Sequence, residues 1–292
     1  MDLSTEFCFC TLAIGHRYRT HAKLLAQDLQ KYFPNTTLCI LTDRPAEFKA
    51  FPHVLAFKHH PQSVKVYHDK RFVLKKALSL FECCMFLDSD VRVLGGIEKP
   101  MNWSPGITAR TGGNLLKQIE KNKKKPNNSQ AVKDYNLIEE AAQKLGIDPE
   151  PLNWFPEFMV VMKRQNGLEE DLFQAWQTIS YFFEMKGIYD KECYSIALAA
   201  AKVGMTFDFC YEDKFPFFND QIETIRIQQG QSRLQEKQIY FDIHREIEHP
   251  RYSLLKKIIN KLVKQIAFYY RLLRLRIILK NDRDFINLFG KV

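Results

Sequence analysis

Two carboxylates, two positions apart, directly follow a run of apolar residues in the first third of the chain. The run at 84–87 reads Cys-Met-Phe-Leu, which is typical of a buried strand, and Asp88-Ser89-Asp90 comes next. Residues i and i+2 of an extended chain point to the same side, so we expect the carboxylates of Asp88 and Asp90 to converge. Converging carboxylates repel each other unless a cation lies between them, and Mg²⁺ is commonly held by one or two carboxylates together with substrate phosphates. The motif therefore predicts a divalent-metal site for a diphosphate; its alternative is a polar turn that closes the strand.

Two further apolar strands are predicted before this motif, with a helix between them. Residues 7–15 end at a glycine, residues 16–32 carry leucines at helical spacing, and residues 37–43 end in Thr-Asp. A β-α-β order with apolar strands indicates a parallel sheet, in which ligands bind beyond the carboxyl ends of the strands. The ends of these two strands and the Asp88-Ser89-Asp90 motif are therefore expected to line one crevice.

A basic helix is predicted at residues 70–80, immediately before the Asp-Ser-Asp strand. Arg71 and Lys75 are four residues apart and so share a face of this helix. Their charges could reach a diphosphate in the crevice, and the alternative is a solvated basic face.

The later part of the chain is predicted to alternate between strands and helices. Residues 117–134 are polar and charge-rich, which favours a loop that could act as a lid. Residues 154–162 have strand character, residues 171–184 form an aromatic-rich helix, and residues 189–201 form a helix with acids in its first turn. Residues 238–244 are predicted to be a late strand that ends in His244.

The tail is predicted to be a basic amphipathic helix. Residues 251–280 contain nine Lys/Arg and no Asp/Glu, while apolar residues recur at i, i+3 and i+4. A helix of this kind binds anionic lipid through apolar area and charge, so we expect it at an anionic membrane surface. The alternative is a helix whose apolar face packs on the rest of the chain.

Composition limits the class of protein. The chain has 292 residues, 46% of them hydrophobic, which is enough for one large globular domain. Its net charge of +9 comes from the tail, because the other 34 basic residues equal the 34 acidic ones, and this argues against a general nucleic-acid-binding surface. Seven cysteines without paired metal spacing suggest a reduced, cytoplasmic protein. No signal peptide and no transmembrane segment are expected from the sequence.

The order of these features resembles the nucleotide-sugar half of GT-A-fold glycosyltransferases. The resemblance rests on a strand ending in Gly15, a helix, a strand ending in Thr42-Asp43, a basic helix, and the strand Phe86-Leu87-Asp88-Ser89-Asp90-Val91. It covers residues 7–95 and extends more weakly to 154–162 and 190–201. The chain departs from glycogenin-like members because His244 is followed by Arg-Glu-Ile-Glu-His-Pro and not by a Gly-X-X-Lys-Pro-Trp pattern.

The resemblance implies a role for each candidate residue. Asp88, Asp90 and His244 would hold Mn²⁺ or Mg²⁺ on the donor diphosphate. Glu157, Asp190 or Glu192 would contact the donor sugar or act as general base on the acceptor hydroxyl. The nucleotide would be contacted by a further set of residues: Thr11, Ala13, Asp43, Arg71, Lys75 and Ser89.

We therefore expect an α/β protein with a GT-A-like domain at residues 1–250 and a helical tail at 251–292. Within the domain, residues 7–95 would bind the nucleotide-sugar, with a UDP-sugar favoured, and residues 96–250 would bind the acceptor. The expected function is metal-dependent sugar transfer to a glycan or lipid-linked acceptor at the cytoplasmic membrane face, in building a cell-surface glycan. The alternatives are a nucleotidyltransferase acting on a sugar phosphate and a non-catalytic, membrane-associated binding protein.

Overall fold

A computed structural model describes residues 6–97, 102–123, 129–210 and 215–291. Its strands are β1 (Phe7–Ala13), β2 (Thr37–Thr42), β3 (Val54–Lys58), β4 (Cys83–Leu87), β5 (Arg92–Val93), β6 (Gly106–Ala109), β7 (Gly113–Asn114), β8 (Asn153–Trp154), β9 (Met159–Lys163), β10 (Phe207–Phe209) and β11 (Phe217–Phe218). Its α-helices are α1 (His16–Tyr32), α2 (Lys70–Leu78), α3 (Leu115–Lys123), α4 (Ser129–Leu145), α5 (Leu168–Met185), α6 (Glu192–Val203), α7 (Asp220–Gln228), α8 (Leu234–Glu248), α9 (Leu254–Leu279) and α10 (Arg283–Phe289). Short 3₁₀ helices lie at Pro45–Phe48 and Val66–Asp69.

Seven strands form one central sheet in the order β10-β6-β9-β4-β1-β2-β3. β1 is parallel to both β2 and β4, and β9 is antiparallel to its neighbours β4 and β6. Helices cover the sheet, so the predicted α/β class with a mostly parallel sheet is confirmed.

The two faces of the sheet carry separate apolar cores because neighbouring strand residues point to opposite sides. Phe9 packs with Leu25 and Leu29 of α1 on one face. Cys8 and Cys10 lie on the other face, in the core that also contains residues of α2, α5 and α6. Burial on both faces explains why β1, β2 and β4 are continuous apolar runs in the sequence.

The connections between successive strands proceed to opposite sides of β1. The chain passes from β1 through α1 to β2 on one side, and from β3 through α2 to β4 on the other side of β1. A crevice opens where neighbouring connections leave the sheet in opposite directions, and ligands bind there in open α/β sheets. Asp88-Ser89-Asp90 follows β4 directly at this point.

Two sequence predictions about local structure are wrong. Most of the predicted loop at 117–134 is helical, because Leu115, Leu116 and Ile119 of α3 and the apolar face of α4 are buried; residues 124–128 lie outside the described part. The predicted strand at 238–244 belongs to α8. The apolar run at 239–243 is also compatible with a helix face, and Tyr240 and Phe241 contact the ring of Phe218 from that helix.

The tail is helical, as predicted, and its second half packs against the helices α4 and α5. Leu275 and Leu279 of α9 and Phe285 and Phe289 of α10 are buried in the larger core. Of the helices in the described parts of the chain, none combines the length and the apolar composition that crossing a bilayer requires.

Candidate active site

An open crevice of about 820 Å³ lies beyond the carboxyl ends of β1 and β4. The Asp88-Ser89-Asp90 turn lies on one side of it, with Glu157 from the segment before β9. The starts of α1, α2 and α7 and the end of α8 supply further lining residues, and α9 forms an additional wall. The crevice therefore lies at the position that the strand order predicts for a ligand.

Asp90, Asp220 and His244 form a cluster on this crevice. Each offers one ligand atom, and the three atoms lie within 4.8 Å of one another. The β5–β11 ladder explains why the two carboxylates meet: Arg92 pairs with Phe218 in antiparallel register, so two residues further along Asp90 comes opposite Asp220. Asn219 caps α7 by accepting a hydrogen bond from the Ile222 N–H at 3.2 Å, which fixes Asp220 at the helix start.

The cluster has the donor set of a divalent-metal site. Burial raises the pKa of Asp90; His21 and His244 oppose this rise, and the charge of Asp220 adds to it. His244 Nδ1 is buried and has no hydrogen-bond partner among the described residues. Carboxylates suit Mn²⁺ and Mg²⁺, and an imidazole ligand favours a transition metal, so Mn²⁺ fits these three side chains better than Mg²⁺.

A polar clamp between α1 and α8 positions His244. Glu248 lies one helical turn after His244 and therefore on the same face of α8. Its carboxylate accepts hydrogen bonds from Arg17 Nη1 at 2.8 Å and from His21 Nε2 at 3.1 Å. The rings of His21 and His244 also lie 5.2 Å apart, centroid to centroid. No residue of α8 is fully buried, and its attachment combines these polar contacts with the packing of Tyr240 and Phe241 on Phe218.

Lys70 joins three acids on the other side of the crevice. Its Nζ lies 2.9 Å from Asp88 Oδ1 and 2.5 Å from Glu192 Oε1, and it donates to the Glu157 carbonyl oxygen at 3.2 Å. Glu157 enters this group because β9 runs antiparallel to β4, and its carboxylate accepts from the Cys193 N–H at 3.1 Å. This group therefore places a buried ammonium beside three acidic residues, which come from the end of β4, the segment before β9 and the start of α6.

The charges of this group perturb one another. Burial alone would lower the pKa of Lys70, but Asp88, Glu192 and Glu157 outweigh it and raise that pKa. Burial raises the pKa of Asp88; Lys70 opposes the rise, and Asp90 and Glu192 add to it. The Asp88 side chain is 33% exposed, so solvent screens part of its shift. Burial and Glu192 also raise the pKa of Glu157, against the effect of Lys70.

The structure places several of the predicted nucleotide contacts in structural roles. Thr11 and Ala13 are buried in β1, and Thr11 Oγ1 donates to the Leu87 carbonyl at 2.7 Å. Asp43 accepts from the Gly15 N–H at 3.0 Å and from Arg19 at 2.7 Å, which ties the β1–α1 turn to β2. Gly15 has φ of 91°, a conformation that favours glycine. Ser89 lines the crevice.

Arg71, Lys75 and Asp190 lie outside the lining of the crevice. Arg71 is buried and donates to Ser63 Oγ at 3.1 Å, Lys75 pairs with Glu170 at 2.6 Å, and Asp190 is exposed. The cation that α2 brings to the crevice is Lys70. A topological signal points to it: the helix of a β-α-β unit runs back across the sheet, so its first residue lies at the carboxyl edge of the strands.

Asp220 is the second site residue that the sequence analysis missed. Asn219-Asp220 after an aromatic pair indicates a helix start. Its proximity to Asp90 depends on the register of a two-residue ladder between β5 and β11, which no periodicity in the sequence reveals.

Comparisons with known proteins give weak likenesses. No family model and no curated protein sequence matches the chain. A solved structure of the bifunctional glycosyltransferase WbbM, without ligand, is 12% identical with a TM-score of 0.43, covering 72% of this chain and 39% of that one. A structure of the galactosyltransferase LgtC in complex with donor and acceptor sugar analogues is 12% identical with a TM-score of 0.44, covering 68% of this chain and 72% of that one. The chain thus spans well under half the length of WbbM.

Proposed function

We propose that this chain is a metal-dependent glycosyltransferase that takes its sugar from a nucleoside-diphosphate donor, with a UDP-sugar favoured. The observation that carries the proposal is the Asp90–Asp220–His244 cluster, which faces an open crevice at the reversal of strand order. The resemblance of residues 7–95 to GT-A-fold enzymes supports it.

The crevice has groups suited to each part of sugar transfer. Asp90, Asp220 and His244 would hold Mn²⁺, and Asp88 stays a further candidate ligand, although its carboxylate is paired with Lys70. A bound divalent cation would stabilise the charge that develops on the departing diphosphate. Lys70 holds Asp88 and Glu192 in place beside the crevice.

Glu157 is the best placed of the three predicted catalytic acids. Glu157 lines the crevice. Glu192 is paired with Lys70 and is not part of the lining, and Asp190 is exposed outside it. In an inverting reaction Glu157 would take the proton of the acceptor hydroxyl. In a retaining reaction it would instead orient the donor sugar by hydrogen bonding.

We also propose that the protein acts at the cytoplasmic face of a membrane on a glycan or lipid-linked acceptor that serves a cell-surface glycan. The support is α9, whose outer side carries apolar residues that are each more than half exposed: Leu255, Ile258, Ile259, Leu262, Ile266, Tyr269, Tyr270, Leu273 and Ile277. We call this set the apolar stripe. With nine cations and no acid at 251–280, it has the properties of an interfacial helix.

The test is the slow hydrolysis that a donor undergoes when water replaces the acceptor. The chain is incubated with each of a panel of nucleoside-diphosphate sugars, with and without Mn²⁺, and release of the nucleoside diphosphate is measured. We expect release from one donor class only, dependent on Mn²⁺. The absence of release from every donor, together with the absence of nucleotide binding, would contradict the proposal.

A further inference from the structure

Three cations on one side of the crevice have no acidic partner among the residues that the structure describes. Arg17 and Lys70, which also line the crevice, form ion pairs with Glu248, Asp88 and Glu192. In contrast, Lys65, Lys264 and Arg271 line the crevice without an ion pair to any described carboxylate within 4.0 Å. We call these three residues the cationic wall.

The cationic wall is built from two segments that are joined to each other. Lys264 and Arg271 are seven residues apart, two turns of α9, and so lie on one face of that helix. Arg271 Nη1 donates to the Val64 carbonyl at 3.4 Å, next to Lys65, and Arg274 donates to the Pro61 carbonyl at 3.1 Å. These hydrogen bonds join α9 to the segment that carries Lys65, so both parts of the cationic wall have fixed positions.

Asp69 and Glu184, the two acids whose charges act on Arg271, form no ion pair with it and accept hydrogen bonds from other groups. Asp69 accepts from His59 at 2.9 Å and from the N–H groups of Gln62 and Ser63, while Glu184 accepts from the Val64 N–H. Burial lowers the pKa of Arg271; Asp69 and Glu184 oppose this effect, and Arg274 adds to it. Cations that share a partly buried site repel each other unless an anion binds them.

We propose that the cationic wall binds a phosphate group of a substrate, at a place separate from the Asp90–Asp220–His244 cluster. A phosphate oxygen can accept a charge-assisted hydrogen bond from each of the three side chains. The inference rests on the proposed function only in calling the ligand a substrate.

The position of the wall on α9 favours a lipid phosphate as the source. At 100° per residue, Lys264 and Arg271 lie on the side of α9 opposite to Leu262, Ile266 and Leu273 of the apolar stripe. With the stripe against the hydrocarbon, the wall lies about 10 Å above it, one helix diameter away. That side of α9 faces the polar headgroup layer, which contains the lipid phosphates, so an acceptor lipid would present its phosphate on the side of the wall. The second possible source is the diphosphate of the donor.

The test compares two triple variants with the same loss of charge. The wall variant is Lys65→Gln/Lys264→Gln/Arg271→Gln, and the control is Lys256→Gln/Lys257→Gln/Lys261→Gln, whose residues lie on α9 but do not line the crevice. The probes are soluble dihexanoyl phosphatidic acid, dihexanoyl phosphatidylcholine, and uridine diphosphate with Mn²⁺, with Kd measured by calorimetry. Lys264→Glu, at an exposed position, is tested alone as a variant that leaves folding intact.

We expect the wall variant to bind phosphatidic acid at least about 30-fold more weakly, because three charge-assisted contacts are lost. The control should change little, and phosphatidylcholine should bind none of the proteins. Loss of uridine diphosphate binding in place of phosphatidic acid would support the wall and assign its phosphate to the donor.

Three results would overturn the inference: unchanged binding of both phosphates in the wall variant, an equal loss in the control, or no binding of either phosphate to the wild type. Failure of the proposed function is a separate result, because it shows as the absence of Mn²⁺-dependent uridine diphosphate binding to the wild type, whatever the phosphatidic acid arm gives.

Discussion

At the scale of single residues, Lys70 affects both the stability of the fold and the charges that line the crevice. Its ammonium group is buried between Asp88 and Glu192, with the Glu157 carbonyl as a third partner. Removing a buried charge leaves its partners uncompensated, which costs much more than the pair contributes in water. Lys70 therefore controls both the stability of this side of the crevice and the protonation of its acids.

Replacing Lys70 by methionine is expected to lower the free energy of unfolding by about 3 kcal/mol at pH 8. Without Lys70, the pKa values of Asp88 and Glu157 rise further above those of the unfolded chain, so the folded state binds more protons than the unfolded state. Stability then falls as pH rises through that window, and the deficit is smaller at pH 5 than at pH 8. Urea denaturation at both pH values measures it.

The matched control is Lys75→Met on the same helix, where the lysine is half exposed and paired with Glu170. This change should cost less than about 1 kcal/mol at either pH. A deficit for Lys70→Met that is as small as the control, or that grows towards pH 5, would contradict this assignment of Lys70.

The sequence singled out Asp90 and His244 as candidate metal ligands but did not predict how they meet. The expectation that Asp88 and Asp90 point to one spot assumed an extended chain, whereas β4 ends at Leu87 and the Val91 N–H donates to the Asp88 carbonyl in a turn. Asp88 therefore points to Lys70 and Asp90 points to Asp220 and His244. Residue types and spacing indicate the chemistry, but side-chain directions in a turn depend on tertiary contacts.

At the scale of elements, the clamp between α1 and α8 determines where His244 lies. Glu248→Gln keeps the shape of the side chain and weakens its bonds to Arg17 and His21. Supporting contacts of this kind typically change metal affinity 10- to 100-fold, so we expect a rise of about that size in the Kd for Mn²⁺. Electron paramagnetic resonance of free Mn²⁺ measures it directly, without a nucleotide.

Glu246→Gln provides the control, because Glu246 lies on α8 two residues away and is exposed. The apo protein should unfold at nearly the same temperature in both variants, since a purely structural role of Glu248 would appear there. Equal Mn²⁺ affinity in the two variants would mean that the clamp does not position His244.

Elements with strong periodicity were predicted from the sequence, and elements that depend on a partner were not. The apolar strands β1, β2 and β4 and the helices α1, α2, α5 and α6 follow the patterns at 7–15, 37–43, 84–87, 16–32, 70–80, 171–184 and 189–201. α3 and α4 carry short apolar stripes among many charges, and these stripes became evident only through the core that they cover. α8 has few buried contacts of its own, so its apolar run at 238–243 did not distinguish a helix from a strand.

At the scale of the whole molecule, α9 carries exposed apolar area on one side and most of its positive charge on the other faces. We expect the protein to bind vesicles of phosphatidylcholine with 30 mol% phosphatidylglycerol, roughly a physiological anionic fraction, and to bind less as salt rises. Ile259→Asn/Ile266→Asn removes two residues of the apolar stripe and should reduce binding at least about tenfold, by the loss of buried apolar area. Vesicle flotation measures it.

Ile239→Asn is the control, because Ile239 is 64% exposed on α8, away from the stripe. Deleting the tail is the poorer experiment, since Leu275, Leu279 and Phe285 belong to the core and their removal would expose it. Binding that is unaffected by the stripe variant, or that falls equally in the control, would argue against membrane association through α9.

The overall architecture was predicted in class but not in its connections. Apolar strands alternating with helices indicate a parallel sheet, and the four adjacent strands β4-β1-β2-β3 have that arrangement. The insertion of β9 as an antiparallel strand beside β4, the β5–β11 ladder and the packing of α10 all depend on contacts between distant parts of the chain. The first two of these contacts place Glu157 and Asp220 in the crevice, which explains why the sequence did not predict how the site assembles.

The central claim is that Asp90, Asp220 and His244 hold a divalent cation that binds a nucleoside diphosphate. The most direct measurement is calorimetric binding of uridine diphosphate, with and without Mn²⁺, to the wild type, Asp90→Asn and Asp242→Asn. Asp242 is an exposed carboxylate of α8 that pairs with Arg245, so it matches the change in charge outside the cluster. We expect Mn²⁺-dependent binding that Asp90→Asn loses and Asp242→Asn keeps. Binding that is equal without Mn²⁺, or equal in Asp90→Asn, would contradict it.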